Sequence, residues 1–141
     1  MVQKKSKKVL IIYSNFYNEI SDNLLHGAES FLKNKKVPYE KKKVLGSLEI
    51  PFLLNRFFNE YAGFVVLGCI IKGETDHYQV VKDLCYEKVY SLAYKKSLPL
   101  GSAILTVNNY KQALERSLHN KMNLGEKAAM VCCDLMSQLK L

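Results

Sequence analysis

Between Phe64 and Tyr78 the chain reads FVVLGCIIKGETDHY, and the polar groups closing this stretch could do chemistry. Thr75 brings a hydroxyl and His77 an imidazole, a group that titrates near neutral pH and suits proton transfer. Phe64 to Ile71 is apolar or small throughout, which predicts a strand buried on both faces. Gly73 then allows a tight turn, and Thr75 or Asp76 can cap a helix beginning near His77. A central strand therefore feeds a helix N-terminus, whose exposed N–H groups can hold an anion such as a phosphate. A glycine turn followed by a structural histidine would also serve as a plain connection. Three further residues have chemical potential. Phe16 could stack on a planar heterocycle or plug the core, Glu49 offers a carboxylate or simply a favourable acid at a helix start, and Arg116 is a guanidinium that would by itself read as an exposed charge on a short helix.

The elements that position these groups alternate along the chain. Lys8 to Tyr13 reads as a first strand, and Ile20, Leu24, Ala28, Phe31 and Leu32 recur at helical spacing over Ser21 to Asn34. Phe16 falls in the loop between them. Tyr39 to Val44 is a second strand whose Lys41-Lys42-Lys43 suits a sheet edge, because lysines discourage pairing between sheets. Gly46 permits a turn, and Pro51 starts a helix running to about Tyr61. After the central strand, a helix from about Asp76 to Lys95 carries the apolar stripe Val80, Val81, Leu84, Cys85, Val89, Leu92 and Ala93. A fourth strand, Leu100 to Thr106, precedes a short helix around Gln112 to Arg116 capped by Asn108 or Asn109, and a last helix spans about Gly125 to Leu139. Such alternation predicts an α/β fold, a parallel sheet with helices on both faces and ligands at the carboxyl ends of the strands.

Taken together, GCIIKGETDHY, the segment LGSLEIP at Leu45 to Pro51, LGSAILT at Leu100 to Thr106 and QALER at Gln112 to Arg116 resemble the 6,7-dimethyl-8-ribityllumazine synthase family over nearly the whole chain. The resemblance implies a flavodoxin-like three-layer α/β/α sandwich with a four-stranded parallel sheet in the order 2-1-3-4, as one domain over residues 1–141 with a flexible basic start at residues 1–7. It implies condensation of 5-amino-6-(D-ribitylamino)uracil with 3,4-dihydroxy-2-butanone 4-phosphate, the penultimate step of riboflavin biosynthesis, without a metal or redox cofactor. Carried over by position, Phe16 stacks the pyrimidine. Ser47 and Leu48 offer backbone groups, and Glu49 bonds ribityl hydroxyls or ring nitrogens. Cys69, Ile70 and Ile71 make backbone contacts, and Ser102 completes that wall. Glu74 (through its N–H), Thr75 and Arg116 bind phosphate, and His77 shuttles the proton. The family also implies a homopentamer with active sites shared between subunits. The chain departs from the family pattern at Asn15 and Tyr17, which replace the usual Arg and Asn beside the stacking ring. It departs again at Leu45 for Pro, Ser102 for Phe, and Leu124 for the Lys of an Asn-Lys-Gly run.

Composition narrows the alternatives. At 141 residues and 48% hydrophobic content the chain can bury a real core, and no apolar run approaches a membrane span. After the basic start only VLIIY follows, which does not make a signal peptide, so a cytoplasmic location is expected. The four cysteines, Cys69, Cys85, Cys132 and Cys133, form no C-x-x-C pair and read as reduced core or near-core residues. The net charge of +8 comes from lysine clusters without interleaved aromatics, so it reads as solvated surface, with no nucleic-acid or membrane partner expected. Two other functions fit the residues less well: a non-catalytic flavin- or lumazine-binding protein of the same fold, and a basic nucleic-acid-binding domain.

Overall fold

Four strands form one parallel sheet in the order β2-β1-β3-β4. They are β1 (Val9–Ser14), β2 (Tyr39–Val44), β3 (Gly63–Ile71) and β4 (Leu100–Val107). The structure, a computed structural model, describes residues 6–73 and 77–141. The helices are α1 (Asn18–Asn34), α2 (Ile50–Phe57), α3 (Tyr78–Lys96), α4 (Tyr110–Ser117) and α5 (Leu124–Gln138), with a 3-10 turn over Ser47–Glu49 ahead of α2.

β3 is central because every one of its residues is buried, which only a strand covered on both faces can satisfy. Alternate side chains feed two cores. Val65, Leu67, Cys69 and Ile71 pack with Ile20, Leu24, Ala28 and Cys132 under α1 and α5. Phe64, Val66 and Ile70 pack with Ile50, Leu54, Cys85 and Val89 under α2 and α3. The lysine-rich strand does lie at an edge, where Lys41 pairs with Glu29 of α1 at 3.2 Å and the Tyr39 hydroxyl donates to the same carboxylate.

Element ends shift for identifiable reasons. α1 starts earlier than the apolar spacing indicates, at Asn18, with the Ser21 hydroxyl donating to the Ser14 carbonyl at 2.7 Å to tie the helix to the end of β1. α2 stops at Phe57 rather than near Tyr61, because Tyr61 turns inward. Its ring lies edge-on to Phe57 and Phe64, and its hydroxyl donates to Glu40 at 3.0 Å. α3 buries Cys85, Val89 and Ala93, but Val80 and Leu84 face outward, 63% and 41% exposed, so part of the expected core stripe is surface. Asn109, not Asn108, caps α4, its side chain accepting from the Gln112 N–H at 2.9 Å. Residues 1–5 of the basic start lie outside the described residues, and Ser6 is held by an N–H bond to the Glu60 carbonyl at 3.1 Å.

Candidate active site

A cleft of about 260 Å³ opens at the carboxyl ends of β1 and β3. Three segments wall it. The loop after β1 brings Phe16 and Tyr17, the turn after β2 brings Gly46 to Glu49, and the end of β3 brings Cys69 to Ile71. Val81 of α3 closes the fourth side. Parallel strands end together, so three loops distant in sequence converge on one rim.

Each wall has a local cause. The Phe16 ring is 71% exposed and meets Tyr17 edge-on at 5.0 Å between centroids, so it stands over the cleft instead of filling the core. The 3-10 turn sits down on β3 because residue 68 is glycine. A Cβ there would come within 2.9 Å of the Ser47 hydroxyl and 3.2 Å of the Ser14 hydroxyl. From the other side the Cys85 thiol donates to the Ser47 carbonyl at 3.3 Å, fixing the turn to α3. Glu49 is exposed, and its carboxylate folds back over Gly46 toward the cleft. Burial pushes the Cys69 thiol up to about 12, so it stays neutral and is not a nucleophile here.

Gly73 ends the β3 run with φ +87°, a left-handed conformation that glycine adopts without strain and other residues resist. Glu74, Thr75 and Asp76, which carry the expected phosphate groups and helix cap, lie outside the described residues. His77 is exposed and opens α3, with its carbonyl accepting from the Val81 N–H at 2.9 Å. It therefore stands one hydrogen-bonded turn ahead of Val81, which lines the cleft.

The structure does not bring Ser102 and Arg116 to this cleft. Ser102 was expected near a strand end, but it is the third residue of β4, paired with Val66 in the amino half of the sheet. The Phe64 N–H takes the Pro99 carbonyl and the Lys72 N–H takes that of Val107, so odd-numbered carbonyls of β4 face β3. The carbonyls of Ile104 and Thr106 consequently face the free edge, where the Tyr86 hydroxyl and Arg116 Nη1 donate to them. Arg116 thus sits on the far side of β4 from the cleft. Leu124, in the place of the family lysine, begins α5 and packs against the α1–α5 core.

The sequence reading missed Val81 as a cleft residue and treated Tyr17 only as a departure. The available signals were the adjacency of Tyr17 to Phe16 and the one-turn spacing of Val81 from His77. Among the described residues no group of three His, Cys, Asp or Glu is placed to hold a metal ion, and no helix is long and apolar enough to cross a membrane.

A parallel α/β sandwich with a ligand-sized cleft at the carboxyl edge of its central strands defines a flavodoxin-like binding protein or enzyme. Comparison with known proteins narrows the class. The family model of 6,7-dimethyl-8-ribityllumazine synthase matches residues 6–140. The 6,7-dimethyl-8-ribityllumazine synthase of Bartonella bacilliformis is 42% identical over 125 residues, 86% of this chain and 82% of that one. Its counterpart in Paramagnetospirillum magneticum is 39% identical, covering 92% of this chain and 93% of its own. That of Bartonella henselae is 38% identical over 96% and 90%. The chain belongs to the 6,7-dimethyl-8-ribityllumazine synthase family, transferases of riboflavin biosynthesis.

Proposed function

We propose that the cleft condenses 5-amino-6-(D-ribitylamino)uracil with 3,4-dihydroxy-2-butanone 4-phosphate to form 6,7-dimethyl-8-ribityllumazine. The observation that carries this reading is the convergence of Phe16, Ser47 to Glu49 and Cys69 to Ile71 on one cleft, since the family assigns these positions to the pyrimidine and its ribityl chain. The substrate amine attacks the ketone to give an imine, phosphate leaves, the ring closes and water is lost. Phe16 stacks the pyrimidine, Glu49 accepts ribityl hydroxyls and the strand end offers backbone groups. His77 carries the proton, while Glu74 and Thr75 hold the phosphate.

Arg116 and Ser102 act in a neighbour's cleft, within a homopentamer of one-domain subunits in the cytoplasm. Arg116 faces the free edge of β4, away from its own cleft, and one bond to Thr106 leaves most of its donors for an anion. Exposed apolar side chains lie on two different sides, with Phe52, Val80 and Leu84 on α2 and α3 and Tyr94, Leu135 and Leu139 around the start of β4. Two unlike apolar faces suit a head-to-tail ring. The test is an assay of the purified protein with both substrates, followed at the lumazine absorption band. Product formation with release of inorganic phosphate is expected. Tight binding of the lumazine without turnover would refute the catalytic reading.

A further inference from the structure

The loop bearing Phe16 is braced from an unexpected direction. Tyr17 touches Phe16 edge-on at 5.0 Å and also meets the ring of Tyr110 at 6.5 Å and 64°. Tyr110 is the first residue of α4, and its hydroxyl donates to Glu19 in the first turn of α1 at 2.9 Å. These contacts close a circuit in space. Phe16 and Glu19 flank Tyr17 in sequence, and Tyr110, more than ninety residues away, bridges back to Tyr17 through its ring and to Glu19 through its hydroxyl. Because the Phe16 ring is largely exposed, the core does not fix its orientation, so these neighbours hold it. The circuit also ties the ring to α4, the helix that carries Arg116.

From this geometry we infer that Tyr110, anchored by Glu19, is a positioning residue for the pyrimidine, holding Phe16 through Tyr17 in its stacking orientation. It touches no substrate itself. The inference rests on the proposed role of Phe16. The pairing of Tyr17 with Tyr110 supplies the support that the usual Arg and Asn beside the stacking ring cannot give in this chain. An unsupported exposed ring samples several rotamers, and binding must then select one of them, which lowers apparent affinity.

Tyr110→Ala is expected to weaken binding of 6,7-dimethyl-8-ribityllumazine, measured by calorimetry, by about 2- to 10-fold, the worth of one aromatic pair. The KM for the pyrimidine should rise in parallel, with the KM for the butanone phosphate and kcat nearly unchanged. Tyr110→Phe keeps the ring but loses the Glu19 bond, and it should fall between wild type and Tyr110→Ala. The decisive readout is a double-mutant cycle. In a Phe16→Ala background Tyr110→Ala should cost little more, because the ring it positions is gone. Wild-type affinity in Tyr110→Ala, full additivity with Phe16→Ala, or an equal loss in kcat and both KM values would each overturn the inference. If Phe16→Ala itself binds normally, the reading of the cleft has failed. If Phe16→Ala binds weakly while Tyr110→Ala does not, only the bracing role has failed.

Discussion

Phe16→Ala separates the two things an aromatic ring after β1 could be. A core plug would show in stability, whereas a stacking platform would show in binding. Full burial of a phenylalanine contributes about 1.5–3 kcal/mol. With 71% of Phe16 exposed, only about three-tenths of that is at stake in the free protein, roughly 0.5–1 kcal/mol. Edge contact with Tyr17 adds to this only modestly. Stacking on a heterocyclic base, by contrast, is worth about 1–3 kcal/mol, which converts to roughly 5- to 150-fold in a dissociation constant. The expected outcome is therefore asymmetric, with a small shift in the denaturant midpoint and a large loss of affinity for 6,7-dimethyl-8-ribityllumazine. Calorimetric titration and urea unfolding of the same preparations measure both. A variant that binds like wild type but unfolds several kcal/mol more easily would show that the ring serves the fold and that the cleft has been misread.

Further outcomes are expected for the site and for the thiols. His77→Ala should lower kcat by up to about 10²-fold with little change in substrate affinity, because proton transfer counts in the transition state while positioning survives, and unchanged turnover would exclude the role. Inorganic phosphate should compete with the butanone phosphate, and Arg116→Ala should weaken that competition by about 1.5–3 kcal/mol, the range for a charge-assisted bond. Mixing the impaired His77→Ala and Arg116→Ala chains, followed by verified reassembly, should raise activity above that of either variant alone if the cleft is shared, and leave it unchanged if both residues serve one chain. Finally, burial holds the thiols of Cys69, Cys85 and Cys132 up at about 12 from an ordinary 9.0. The folded state prefers them protonated, so their contribution to stability is complete below pH 9 and is lost as pH rises toward 12. The unfolding midpoint should fall across that window. At pH 8 alkylation read by mass spectrometry should reach half-buried Cys133 first, and equal labelling of all four thiols would contradict the burial pattern.

The sheet was legible because its strands announce their environment. The uninterrupted FVVLGCII could be satisfied only by a strand covered on both faces, and KKK in β2 only at an edge, as the order β2-β1-β3-β4 has it. Helix ends were less legible, since they depend on tertiary partners. Tyr61 leaves α2 because a pocket beside Phe64 and a carboxylate on β2 await it, neither of which is local in sequence. Val80 and Leu84 carried the right spacing for core and lie outside, because apolar periodicity marks a face without saying what will cover it.

The candidate site divides along the same line. Residues that leave β1, β2 and β3 converge because parallel strands end at one rim, where strand assignment placed Phe16 and Ser47 to Glu49 and the family resemblance placed Cys69, Ile70 and Ile71. Ser102 and Arg116 belong to the opposite flank. The register of β4 turns the carbonyls of Ile104 and Thr106 outward, and the side chains that meet them, Tyr86 and Arg116, are committed to that edge. The cleft thus has an exposed ring at Phe16 and the backbone of Cys69 to Ile71, while the Arg116 guanidinium, expected to grip the phosphate, lies on the far side of β4. Leu124 sharpens the asymmetry, because the position where the family has a lysine is spent on the α1–α5 core. On the proposed reading, the cleft and Arg116 lie on different sides of one chain, and head-to-tail contact between chains is the simplest arrangement that would join them.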